Sequence, residues 1–190
     1  MTFADSTFPA FPKKLVSKTW VEEFEKTGAG WLQILSGSMA PLIQKWDRIY
    51  VEKVDLSKIH RGDIITFWRS GVLITHRVIK KMQHGDEISF VERGDQYFTH
   101  SIISSSSVVG KVKQIKKNER IYHLNTFAWK LYNKMAGIAL LCTYYVRHIG
   151  RSTPGLPVPV KNLIKKIFVL FKWLMEGFCK MLIRTCQKKS

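Results

Sequence analysis

Three short stretches carry side chains able to act together in nucleophilic hydrolysis by a serine. They are Ser36-Gly37-Ser38-Met39-Ala40-Pro41, Thr75-His76-Arg77-Val78 and Arg93-Gly94-Asp95. A serine hydroxyl becomes a nucleophile only when a base takes its proton, and histidine does this near neutral pH. An aspartate can hold the imidazole or fix the loop beside it. Ser38 lies between a strand-like run and a turn, so its ordinary role would be that of a turn residue. The histidine within a strand and the Gly-Asp after another argue against that role, but spacing alone does not bring the three together.

The remaining candidates are weaker. His60, His84, His100, His123 and His148 are scattered and read as surface or loop residues. Asp63, after Arg61-Gly62, reads as a turn former at a strand entry. Arg77 follows His76 directly and so points to the opposite face of its strand. Trp129, Tyr132, Tyr144 and Tyr145 read as anchors of helix packing or of a membrane interface. Cys142, Cys179 and Cys186 form no CxxC pair and no zinc-like cluster, so no metal and no cofactor is expected. Their odd number fits a reducing compartment.

The elements that must position these groups are short and β-rich. Runs at 31–35, 48–54, 63–68, 72–81, 87–92 and 108–117 are bounded by Gly/Asp turns and rich in Val and Ile. Six such runs predict a mainly β domain over 31–117, a barrel or folded sheet. Before it, residues 1–12 with Pro9 and Pro12 read as a loose arm. Leu15, Val16, Trp20, Val21 and Phe24 then predict a short amphipathic helix over 13–27, ended by Gly28 and Gly30. After Asn118 the period becomes helical over 126–149 and 160–186, with a stiff linker near 151–159 that holds three prolines.

Charge divides the 190 residues sharply. The chain carries 31 Lys and Arg against 14 Asp and Glu, net +17. Residues 1–110 hold 14 basic and 12 acidic side chains; residues 111–190 hold 17 basic and only Glu119 and Glu176. Lys161, Lys165, Lys172, Glu176, Lys180 and Arg184 fall within roughly 140° of a helical wheel, opposite a broad apolar face. This pattern predicts an interfacial helix, and an anionic membrane surface as partner of residues 126–186. A helix packed on the β domain with its lysines in water is the alternative. A nucleic-acid partner is not expected: no helix-turn-helix, RNP-like or zinc-finger pattern is present, and the helix is too apolar to track phosphates. The longest uncharged run of the C-terminal region, Met135 to Val146, has 12 residues, too few to span a bilayer.

Beyond these patterns, the order of motifs resembles the type I signal peptidase family. The resemblance rests on Ser38-Met39-Ala40-Pro41, Gly62-Asp63-Ile64-Ile65-Thr66-Phe67, His76-Arg77-Val78-Ile79, Phe90-Val91-Glu92-Arg93-Gly94-Asp95 and Val109-Gly110-Lys111-Val112. It covers about residues 31–117. The resemblance implies a folded β sheet of the kind shared with LexA-like self-cleaving repressors. It also implies a serine endopeptidase acting on a peptide or preprotein. Bacterial members and those repressors use a lysine base. His76 here is similar to the Ser-His branch of archaea and the endoplasmic reticulum. Carried over, the resemblance makes Ser38 the nucleophile, His76 the general base and Asp95 the required aspartate. The Ser38 N–H and the Ser36 hydroxyl would form the oxyanion hole.

Three departures stand beside the resemblance. No carboxylate follows in Gln96-Tyr97-Phe98-Thr99-His100-Ser101, where the branch usually has a second acid. Either Asp95 alone orients His76, or activity is weakened. The place of the family's spanning helix is held by TWVEEFEKTGAGW, which cannot span. The basic C-terminal helices are no part of the peptidase core. The expectation is a cytoplasmic enzyme, peripherally bound to the membrane, that cleaves a precursor or leader peptide. A peptidase-like domain that binds peptides or scaffolds a membrane complex without cleaving is the first alternative, and a self-cleaving repressor the second.

Overall fold

The first helix, α1 (Lys13–Thr27), ends at Gly28, whose φ of +70° suits a residue without Cβ and whose N–H donates to Phe24 O at 2.7 Å. Trp20 stacks on Phe24, its indole N–H donates to Trp31 O at 2.8 Å, and Phe24 enters the core. These contacts tie the helix to the first strand. The coordinates are a computed structural model that describes residues 13–97, 99–152 and 158–188. The arm expected at 1–12 and the centre of the proline-rich linker, 153–157, lie outside the described residues.

Eight strands follow: β1 (Ala29–Gln33), β2 (Arg48–Glu52), β3 (Ile64–Arg69), β4 (Val72–His84), β5 (Glu87–Arg93), β6 (Ser101–Ser104), β7 (Val108–Lys117) and β8 (Arg120–His123). They form one curled, half-barrel antiparallel sheet in the order β1-β2-β7-β3-β4-β5-β6, with β8 added to β7. The sheet has two strands more than the six β-rich runs. Asn118 and Glu119, both at positive φ, turn β7 back into β8, a hairpin geometry. The serine-rich β6 has only four residues, and pairing with β5 along Ser89–Glu92 builds it.

Alternation on the strands divides the interior in two. Ile64 joins Ile49, Val51, Val112 and Ile115 on one face of the sheet, while Ile65 and Phe67 meet Val78, Phe90 and Ile103 on the other. The first face is covered by the long helices α2 (Phe127–Ser152) and α3 (Val158–Lys188). Trp129 and Tyr132 of α2, and Cys179 and Leu182 of α3, are buried in that larger cluster. The two helices are therefore partly integral to the core rather than wholly appended. Met175, Phe178 and Ile183 of α3 also pack against this cluster, whereas Val169, Leu170, Trp173 and Leu174 are exposed, as are Lys180 and Arg184. Among the described residues no helix is long and apolar enough to cross a membrane.

Candidate active site

Ser38 sits in the loop between β1 and β2. That loop is closed at its base by Trp46 N–H donating to Ile34 O at 2.7 Å and Ile34 N–H to Asp47 O at 2.8 Å. Met39, Leu42 and Ile43 are buried beneath it, so apolar packing fixes the loop while Ser38 stays at the rim, 7% exposed. From the loop after β5, Gln96 reaches across. Its backbone N–H donates to Ser38 O at 2.9 Å and its side-chain amide to Ala40 O at 2.7 Å. The stretch without a second acid thus supplies an amide that clamps the serine loop. Ser36 Oγ and Ser38 Oγ share a hydrogen bond at 3.4 Å, so the hydroxyl expected in the oxyanion hole sits beside the expected nucleophile.

His76 lies on β4 opposite Ile65 of β3. Its ring meets Phe67 edge-on, with centroids 6.1 Å apart. Its Nδ1 pairs with Glu92 Oε2 at 2.5 Å, and the other oxygen of Glu92 accepts from Arg69 Nη1 at 3.2 Å. Glu92 is 2% exposed, so both of its interactions are made away from bulk water. A carboxylate that accepts from Nδ1–H leaves the Nε2 lone pair free to take a proton.

Gly94 joins the two halves. A Cβ placed on it would lie 2.9 Å from Ser38 O and 3.1 Å from His76 Nε2. The serine loop and the basic nitrogen therefore flank one point that only glycine leaves open. Among the described residues the hydrogen-bond partner of Ser38 Oγ is Ser36, and no bond joins it to His76.

Asp95 is placed differently from the expectation that it alone orients His76. Arg77 grips it with two bonds, Nε to Oδ1 at 2.9 Å and Nη2 to Oδ2 at 2.7 Å. Arg77 is fully buried and also donates through Nη1 to Gly62 O at 2.8 Å and to Asn133 Oδ1 of α2 at 2.7 Å. Burial by itself lowers the guanidinium pKa, but the charge and hydrogen bonds of Asp95 outweigh it and raise it above the ordinary value. Asp95 thus fixes the Gly94 loop from the far face of β4, and the carboxylate against His76 is Glu92.

Glu92 was missed for a definable reason. The hairpin pairs His84 with Glu87, and a regular ladder from there would set His76 opposite Asp95. One irregularity, between Val78 and Lys80, shifts the register so that Val78 faces Glu92 and Arg77 faces Arg93. Glu92 then becomes the same-face diagonal neighbour of His76. An acidic residue directly after the β-rich run Ile88-Ser89-Phe90-Val91 was the available signal.

Of the remaining candidates, Asp63 is a turn residue. It accepts from His60 N–H at 2.8 Å and pairs with Lys111 at 2.7 Å. His100 meets Tyr144 edge-on, and Trp129 and Tyr132 are core residues. Burial pushes up the pKa of both the Tyr132 phenol and the Cys179 thiol, keeping them neutral.

The comparisons show a distant and partial likeness to a signal peptidase. The chain is 34% identical over 64 residues to Signal peptidase I W of Bacillus subtilis (strain 168), a stretch that covers 33% of this chain and 34% of that protein. The match thus spans about a third of the length of the curated relative. No protein-family model matches the chain.

Proposed function

We propose that this chain is a serine endopeptidase that cleaves a precursor or leader peptide at the cytoplasmic surface of a membrane. The observation that carries the reading is the His76–Glu92 pair at 2.5 Å, with Nε2 turned to the Ser38 loop at Gly94. In the proposed reaction Ser38 Oγ attacks the scissile carbonyl and His76 Nε2 takes its proton. Glu92 stabilises the imidazolium, and the Ser38 N–H and Ser36 hydroxyl receive the oxyanion. Collapse of the tetrahedral species breaks the C–N bond as His76 returns the proton to the leaving amine. Water, activated by the same histidine, then releases the acyl group and restores Ser38. Asp95 acts as a positioning residue through Arg77.

The membrane part is supported by Val169, Leu170, Trp173 and Leu174, apolar and exposed on a basic helix. Incubation with a precursor peptide tests the chemistry. Wild type should cleave it and Ser38→Ala should not; equal rates would overturn the nucleophile assignment.

A second reading, a peptide-binding domain that does not cleave, is favoured by one observation: the Ser38 hydroxyl bonds Ser36 rather than His76. Retention of a precursor peptide without turnover, with Ser38 inert to a serine-reactive peptide aldehyde, would select it.

A further inference from the structure

One concavity of the described residues lies apart from Ser38 and His76. It is a cleft of about 720 Å³ between the Gly62 turn, β7 and the first turns of α2. Arg61, Lys111, Lys113, Lys130 and Lys134 line it, and Asp63 is the one carboxylate among the lining residues. Asp63 is already engaged by Lys111 at 2.7 Å, and Glu52 approaches Lys113 only at 3.8 Å. Among the described residues no carboxylate pairs with Arg61, Lys130 or Lys134. Arg61, Lys130 and Lys134 thus stand as cations beside the Lys111–Asp63 and Lys113–Glu52 pairs, and phosphoryl oxygens accept charge-assisted hydrogen bonds from several such donors at once.

What brings the phosphate is indicated by the surface beside the cleft. Phe127, Leu131, Met135, Ile138 and Tyr145 are exposed large hydrophobics that recur on one side of α2, and Phe127 is 84% exposed. Ile138 also lines the cleft, so the apolar stripe runs into the cationic pocket without a break. A soluble polyphosphate would satisfy the cations and leave the stripe in water. A phospholipid carries a phosphate and an acyl chain a few ångströms apart and covers both.

We propose that this cleft holds the headgroup of an anionic phospholipid of the phosphatidylglycerol class, with the acyl chain lying along the α2 stripe. The inference rests on the membrane reading above and makes it specific: the chain recognises one lipid in a built pocket besides resting on a charged surface.

The test uses the full chain and flotation with phosphatidylcholine vesicles, with and without phosphatidylglycerol. Lys130→Glu with Lys134→Glu should lower binding to the anionic vesicles by about tenfold or more, because two pocket charges are reversed. Lys166→Glu with Lys180→Glu, an equal charge change on exposed positions of α3, should lower it by no more than about threefold. Both pairs are exposed, so thermal melting should be unchanged. Cleavage of a soluble peptide should also be unchanged. Equal losses in the two pairs would overturn the headgroup site and leave the membrane reading standing. A wild type that does not float with anionic vesicles would overturn both.

A second arm separates lipid from free phosphate. Dihexanoyl phosphatidylglycerol should bind at least about tenfold tighter than glycerol phosphate if the stripe takes part. Equal affinities would overturn the lipid assignment in favour of a soluble phosphate compound.

Discussion

The two faces of β4 hold two side-chain pairs built on adjacent residues, a histidine with a carboxylate on one face and an arginine–aspartate ion pair on the other. On one face His76 meets Glu92 with its other nitrogen turned toward the serine loop. On the other Arg77 meets Asp95 in a sealed, bidentate grip shared with Gly62 and α2. Histidine can gain and lose a proton in the working range; a guanidinium cannot. The raised pKa of Arg77 means that its contribution to stability is present at every pH below the ordinary guanidinium value and is lost only above it. Adjacent residues of one strand thus enter two different environments by the alternation of the pleat.

That contrast can be broken by experiment. Ser38→Ala should reduce peptide cleavage by about 10⁴-fold or more with an unchanged melting temperature. Glu92→Gln should cost about 10³-fold in kcat and change the pH–rate profile, because the imidazole loses its orienting carboxylate. Asp95→Asn should do the reverse. Leaving Arg77 buried without its counter-charge should cost about 3–5 kcal/mol of stability, read by denaturant unfolding. Below its melting temperature that variant should keep the wild-type pH–rate profile. If Asp95→Asn moves the profile and Glu92→Gln does not, the assignment of the two faces is wrong. Gly94→Ala, which inserts a methyl group between Ser38 O and His76 Nε2, should lower kcat by about 10–100-fold through displacement alone. Gln96→Ala should have the smallest effect, several-fold in kcat, since the backbone bond to Ser38 O survives it.

Much of this arrangement could be read from residue order. The alternation of Val and Ile marked six strands, and the serine box, the strand histidine and the Gly-Asp turn lie where the site forms. Arg77 was rightly read as pointing away from His76. What stayed hidden depends on register and on contacts distant in sequence. A one-residue irregularity decides whether Asp95 stands opposite His76 or Glu92 becomes its diagonal neighbour, and no composition signal marks its position. Strands β6 and β8 are four residues each, too short for a period to show. The basic helices looked like appendages because their charge dominates their sequence. Only the fold reveals that Asn133 caps a buried arginine and that Cys179 and Leu182 close the core.

The seam between sheet and α2 has one more consequence. A Cβ on Gly62 would lie 2.4 Å from Asn133 O, and one on Gly137 would lie 2.7 Å from the Gly62 backbone. Backbones this close, with Arg77 bridging them, cannot part by degrees. In hydrogen-exchange terms the amides of residues 129–137 and those of β3 and β4 should behave as a single cooperative unit that opens together. Strand β4 and helix α2 should therefore share one melting event.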